Sequence, residues 1–169
     1  MTKIALVEDN RTTREGLQRT IDLWPGYKCI CACETAEEAL RLLPQQQPDL
    51  VLMDIQLPGM SGIECAGRLK ELLPSAQVVM LTVYEDPDRI FSAIRAGASG
   101  YLLKRSTPDQ VFSAVREVQE GGAPMSAPIA LKVFSYFRNQ ETAMAEVEQL
   151  SAREKEILCL LYTSPSPRD

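Results

Sequence analysis

The chain has no histidine among its 169 residues. It also has no catalytic triad, no glycine-rich phosphate loop and no H-E-x-x-H sequence, so the common hydrolytic and nucleotide-binding motifs are missing. Its five cysteines are Cys29, Cys31, Cys33, Cys65 and Cys159; three of them run C-x-C-x-C, which is not the C-x2-C pairing of a zinc site. At a period of two on a strand, Cys29, Cys31 and Cys33 share a face and read as small apolar residues beside a core. No apolar run approaches the length needed to span a bilayer, so no membrane partner is expected. No secretory segment precedes the first strand, and the cysteine count is odd; both point to a reducing, cytoplasmic setting. Positive charge is not in surplus either. Eighteen Lys and Arg face 23 Asp and Glu, for a net charge of −5. Residues 1–121 hold 13 basic and 17 acidic side chains and the remaining residues 5 and 6, so neither part is a hidden basic domain. Such a chain is not built to hold nucleic acid unaided.

What is present is a regular alternation of strand and helix patterns. Lys3 to Val7 is apolar and strand-like, and ends on the acidic pair Glu8 and Asp9. Leu17, Ile21 and Trp24 follow at helical spacing, stopped by Pro25 and Gly26. Residues 27–33 read as a second strand. Thr35 and Glu38 form a capping box, Glu38 reaching back to the Thr35 amide, for a helix to about Leu43, before Pro44. Leu50 to Met53 is an apolar strand ending at Asp54. Ser61 and Glu64 form a second box, opening a helix through Leu73. Val78 to Leu81 is a strand ending at Thr82, and Asp86 with Pro87 starts the next helix. Tyr101 to Leu103 is the fifth strand, and Thr107 with Gln110 caps the fifth helix. The strands are apolar throughout rather than alternating, as in a parallel sheet covered on both faces. The expected fold is therefore a doubly wound α/β sandwich.

In such a sheet, ligands bind at the carboxyl ends of the strands. Those ends carry Glu8, Asp9, Asp54 and Thr82, with Lys104 just past the fifth. Clustered carboxylates repel one another and call for a cation; hard oxygen ligands suit Mg²⁺. A phosphoryl group could be met there by the cation, by Lys104 and by the Thr82 hydroxyl. A carboxylate is a competent covalent acceptor of that group.

The order acidic pair, D-x-x-L-P-G-M-S-G from Asp54, L-T at Thr82, and G-Y-L-L-K ending at Lys104 resembles the response-regulator receiver family over residues 1–121. The resemblance implies a flavodoxin-like (βα)5 fold with strand order 2-1-3-4-5. It implies a phosphoacceptor switch, not a classical enzyme, with Asp54 accepting the phosphoryl group from a sensor histidine kinase. It implies Mg²⁺ held by Asp9, Asp54 and the Gln56 carbonyl, with Glu8 acting through water. Lys104 would pair with the phosphoryl group, and Thr82 and Tyr101 would be the switch residues. Gln56 and Tyr84 match positions bordering the path of hydrolytic water, and bulky Tyr84 predicts slow self-dephosphorylation. Arg105 stands where many members have proline, so the usual cis bond there is not expected.

Residues 122–149 read as a linker: a stiff stretch around Pro124 and Pro128, then one amphipathic helix through Ala130, Val133, Phe134 and Phe137. Asn139 to Thr142 reads as exposed and mobile. Residues 150–162, opening L-S-A-R-E-K-E-I-L with a capping box at Ser151 and Glu154, resemble the start of a LuxR-type helix-turn-helix domain, which makes the whole similar to NarL/FixJ-type transcriptional regulators. Residues 163–169 depart from that pattern and read as a non-native or disordered tail. DNA binding is then expected of a full-length parent, and a homodimer on phosphorylation. Two readings compete: a stand-alone receiver acting by protein contacts, and an aspartyl-phosphate phosphatase. The phosphatase would want a second aspartate where Gln56 stands.

Overall fold

The computed structural model describes residues 1–148. Five strands alternate with five helices: β1 (Thr2–Val7), α1 (Arg11–Asp22), β2 (Tyr27–Cys33), α2 (Ala36–Gln46), β3 (Leu50–Met53), α3 (Gly62–Leu72), β4 (Gln77–Thr82), α4 (Pro87–Arg95), β5 (Gly100–Leu103) and α5 (Pro108–Gln119). The sheet is parallel in the order β2-β1-β3-β4-β5. A sixth helix, α6 (Ala127–Glu148), follows. Residues 1–130 form one compact unit, and of the described residues 131–148 belong to a second.

The interior strands β1, β3 and β4 are buried on both faces over most of their length, as is the edge strand β5, which is why the sequence shows no polar alternation there. On one face Ile4, Leu6, Leu50, Leu52, Val79, Leu81 and Leu102 pack with Ile21 of α1 and Val111, Val115 and Val118 of α5. Full burial of an aliphatic side chain of this size contributes roughly 1.5–3 kcal/mol. α2, α3 and α4 bring Ala39, Leu43, Cys65, Leu69 and Ile90, all fully buried, to the rest of the core. The short α3 sits unusually close to β3: a Cβ on Gly62 would lie 1.8 Å from the Asp54 carbonyl oxygen.

Several local expectations differ in the structure. β2 carries a register shift opposite Ile4 and Ala5, which pair with Cys29 and Cys31 and leave Ile30 as an extra residue. This bulge flips the alternation. Cys29 packs with Ile4 and Leu6 against α1 and α5, whereas Cys31 and Cys33 share the opposite side, so the three cysteines do not line one face. The helix before Pro44 does not stop there. It runs to Gln46, because a proline near the end of a helix forfeits one backbone bond, and Gln47 then closes it in the left-handed conformation (φ 52°) with its N–H on the Leu43 carbonyl.

Only one of the three capping boxes within the described residues is complete, at Thr107 and Gln110. Thr35 and Ser61 cap as expected, but Glu38 accepts from the Glu34 amide instead of the Thr35 amide, and Glu64 pairs with Arg68. Asn139 to Thr142 are helical within α6, not a break in it. The 104–105 peptide is trans, as are all the others described. The Ser151 capping box, the LuxR-like stretch and the tail lie outside the described residues.

The segment before α6 is docked, not merely stiff. The Tyr101 amide donates to the Pro124 carbonyl (2.9 Å), the Ser126 amide donates to the Tyr101 carbonyl (3.1 Å), and the Leu103 amide donates to Ser126 Oγ (3.0 Å). These bonds cover the open edge of β5, which would otherwise present unpaired backbone groups.

Candidate functional site

The parallel ladder continues one rung past the strand ends. The Glu8 amide donates to the Cys33 carbonyl (3.0 Å), the Asp54 amide to Val7 (3.0 Å) and the Lys104 amide to Thr82 (2.8 Å). Acid and ammonium are thus fixed by backbone pairing, not by loop chance. They converge on an open cleft of about 750 Å³ lined by Glu8, Asp9, Asn10, Arg11, Asp54, Gln56, Leu57, Pro58, Val83 and Lys104.

Lys104 Nζ sits 2.7 Å from Glu8 Oε2 and 2.8 Å from Asp54 Oδ2. Glu8 and Asp54 are buried and Asp9 is exposed, and one carboxylate oxygen from each lies within 4.8 Å of the others. Burial pushes the Glu8 carboxyl above its ordinary range; the Lys104 hydrogen bond opposes the rise and the Asp54 charge adds to it. Burial works against the charge on Lys104, but its bonds to Asp54 and Glu8 more than offset this and hold its pKa above the usual value. Three carboxylates answered by one ammonium leave room in charge for a divalent cation, and an all-oxygen donor set fits Mg²⁺. Receiver domains typically bind Mg²⁺ at such an acidic pocket.

Thr82 is fully buried at the end of β4 and does not line the cleft itself. Tyr101 is also buried, and its hydroxyl donates to the Tyr84 carbonyl at 2.8 Å. Burial drives its phenol pKa well up, so the proton needed for that bond stays in place. The Tyr84 hydroxyl in turn bonds the Gln56 side chain, and Arg89 lies 4.0 Å over the Tyr84 ring. A chain of contacts therefore joins Gln56 beside Asp54, through Tyr84, to Tyr101.

Sequence reasoning missed two supporting residues. The Asn10 amide donates to Glu8 Oε1 (3.1 Å) while its side chain caps α1. Arg14 donates to the Glu8 carbonyl (2.9 Å) and pairs with Glu34 (3.1 Å). Asn10 was legible as a helix cap directly after the acidic pair. Arg14 left no signal, because its partners are a main-chain oxygen and a glutamate 20 residues away.

Five parallel strands in this order, covered on both sides and carrying acids at the carboxyl rim, define a flavodoxin-like signalling fold of the receiver type. The chain belongs to the response-regulator family: the model of the response regulator receiver domain matches residues 4–116. It is 32% identical over 161 residues to the transcriptional regulatory protein LiaR of Bacillus subtilis, spanning 95% of this chain and 76% of that one. It is 30% identical over 159 residues to the nitrate/nitrite response regulator NarL of Escherichia coli, spanning 94% and 74%. Among solved structures, a LuxR-family two-component response regulator from Aurantimonas sp. SI85-9A1 superposes with a TM-score of 0.76 at 34% identity, covering 80% of this chain and 98% of that one. The chain thus contains a receiver domain homologous to LuxR-family transcriptional response regulators, which places it in a two-component system with a histidine kinase as partner. Among the described residues, no helix is long and apolar enough to cross a membrane.

Proposed function

We propose that Asp54 accepts a phosphoryl group from the phosphohistidine of a sensor histidine kinase, and that this switches the receiver between two packings. The placement of Asp54 carries the reading: a buried carboxylate opening on the cleft, with Lys104 Nζ at 2.8 Å. A bond forms between an Asp54 oxygen and phosphorus as the kinase nitrogen leaves. Lys104, already at the acceptor, stabilises the negative charge carried by the transferred group. Glu8, Asp9, Asp54 and the Gln56 carbonyl would hold Mg²⁺, which when bound supplies further positive charge against the phosphoryl oxygens. Thr82 turns its hydroxyl toward the new phosphate, and Tyr101 follows as the second switch residue. The phosphate shifts the equilibrium only by its differential contacts with the two packings.

On this reading residues 1–121 are the receiver, 122–149 the linker and 150–162 the start of a LuxR-type helix-turn-helix domain. Residues 163–169 lie beyond that pattern. Transcription is controlled through DNA contacts of a full-length parent and through a homodimer formed on phosphorylation. Intact mass after incubation with acetyl phosphate and Mg²⁺ tests the chemistry. One phosphoryl adduct is expected on the chain and none on Asp54→Ala. An adduct that persists in the variant, or none on the unaltered chain, overturns the assignment.

A further inference from the structure

β2 is an outer strand of the sheet, bonded only to β1, and its single irregularity is the bulge at Ile30. Immediately after the bulge, Cys31 and Cys33 stand with their Sγ atoms 3.6 Å apart. Cys31 is partly buried and Cys33 fully buried. The Cys33 carbonyl is the acceptor for the Glu8 amide at 3.0 Å, and Glu8 Oε2 holds Lys104 at 2.7 Å. The next residue, Glu34, pairs with Arg14, whose guanidinium also holds the Glu8 carbonyl. Two backbone groups of Glu8 thus depend on the end of β2.

We propose that Cys31 and Cys33 are a thiol-disulfide modification site whose closure loosens Glu8. A disulfide requires the sulfurs to approach to about 2.05 Å. Residues two apart on a strand point their Cβ atoms the same way, about 6.6 Å apart, well beyond the roughly 3.5–4.5 Å between the Cβ atoms of a disulfide. Side-chain rotation therefore does not complete the bond, and the backbone from Cys31 to Cys33 draws in. An outer strand already bulged at Ile30 yields most easily there. The carbonyl that moves is the one holding the Glu8 amide.

The oxidant is a small-molecule disulfide. Cys31, the less buried of the two thiols, attacks one of its sulfurs as a thiolate; a mixed disulfide forms and one small thiol leaves. The Cys33 thiol then attacks the Cys31 sulfur and gives its proton to the departing small thiolate, so the Cys31–Cys33 bond forms and the second small thiol leaves; burial holds the Cys33 thiol well above its ordinary pKa, so this step is slow. Two protein thiols are oxidised, one small disulfide is reduced to two thiols, and both protons end on the released thiols. A strained bond of this kind is readily reversed by excess thiol. Any effect on phosphoryl transfer rests on the function proposed above, whereas the hold on Glu8 does not, so Glu8 is read directly.

The test treats the full chain with oxidised glutathione and follows intact mass, peptide mapping and amide hydrogen exchange. The expected result is loss of two hydrogens mapped to Cys31 and Cys33, reversed by reductant and absent in Cys31→Ser. Exchange at the Glu8 amide should quicken roughly tenfold in the oxidised chain, as expected when a local opening becomes easier. Cys33→Ala provides a second variant, and Cys31→Ser alone decides if that one does not fold. A glutathione adduct without closure, a disulfide that survives in Cys31→Ser, or unchanged Glu8 exchange in the oxidised chain each overturns the proposal.

Discussion

Replacing Lys104 with methionine isolates the electrostatic logic of the cleft. The ammonium bridges two carboxylates at 2.7 and 2.8 Å, and the side chains of Glu8 and Asp54 are only 4% and 6% exposed. Removing one partner of a fully buried pair costs about 3–5 kcal/mol, and an exposed pair is worth about 0.2–1 kcal/mol. The Lys104 side chain is 23% exposed and the cleft is open, so solvent screens part of the loss. The expected destabilisation lies between these limits, about 2 kcal/mol at neutral pH. With a urea m-value of about 2 kcal/mol/M, the unfolding midpoint should fall by about 1 M. Trp24, the single tryptophan, stacks on Phe112 at 4.9 Å and reports the transition by fluorescence. Adding Asp54→Ala should return much of the loss, because one of the two stranded charges is then gone. Acid should return part of it as well. Folding raises the Glu8 pKa, so the Glu8 contribution is whole below its unfolded pKa and is lost as pH rises through the folded one. The variant's deficit should therefore shrink as pH falls through the carboxylate range. A Lys104→Met chain within about 0.5 kcal/mol of the parent at neutral pH, the range of an inconsequential surface change, would refute the reasoning.

Mg²⁺ should stabilise the chain, by about 2.7 kcal/mol at a hundred times Kd, and Asp9→Ala should abolish the rise in Tm; an equal rise in the variant would place the cation elsewhere. Tyr84 bonds Gln56 at the cleft, so the phosphorylated chain should lose its phosphoryl group slowly, and Tyr84→Ala should shorten the lifetime; a lifetime of seconds in the parent would sink this. Gly62→Ala should cost about 4 kcal/mol or more, since the new methyl would sit 1.8 Å from the Asp54 carbonyl oxygen; a urea midpoint near that of the parent would contradict it. Burial pushes the Cys29 thiol up to about 11 and the Cys65 thiol up to about 12. Both favour the folded state while neutral, so stability should decline as pH rises above about 9, and native alkylation of either at pH 8 should be slow.

The architecture was legible because it rests on patterns the chain repeats. Largely apolar strands of four to seven residues, each ending on or followed by a polar group, specify a parallel sheet wherever they fall, and Asp86-Pro87 and Thr107-Pro108 mark helix starts by backbone chemistry alone. What was not legible depended on a partner far along the chain. The bulge at Ile30 leaves no mark in a run of alternating cysteines, because it is chosen by pairing with β1. Glu38 and Glu64 had to choose between a helix cap and a competing partner, and the choice was settled by Glu34 in one case and Arg68 in the other. Pro44 looked like a terminator, but the turn after it still closes through Gln47. The docking of Pro124 and Ser126 on Tyr101 needs Gly100 bare, since a Cβ there would meet the Pro124 oxygen at 2.9 Å; nothing in a Gly-Tyr pair announces a strap 24 residues on.

The candidate site was legible for a different reason. Strand ends in a parallel sheet are brought to one rim by topology, so knowing the strands was enough to gather Glu8, Asp9, Asp54 and Lys104 without knowing a single distance. Topology does not say how the charges settle, and that is where the structure adds most. Lys104 is shared between Glu8 and Asp54 instead of being devoted to one. The Lys104 bond opposes the rise that burial imposes on the Glu8 carboxyl, while the same ammonium sits 2.8 Å from Asp54 Oδ2. A group that brings negative charge onto Asp54 must therefore compete with Glu8 for the same ammonium. Whatever alters the position of Glu8 alters that competition, and Glu8 is tied by its own backbone to Cys33 on one side and to Arg14 on the other. On the proposed function, Glu8 is in this way the acid through which the rest of the fold can tune the phosphoacceptor Asp54.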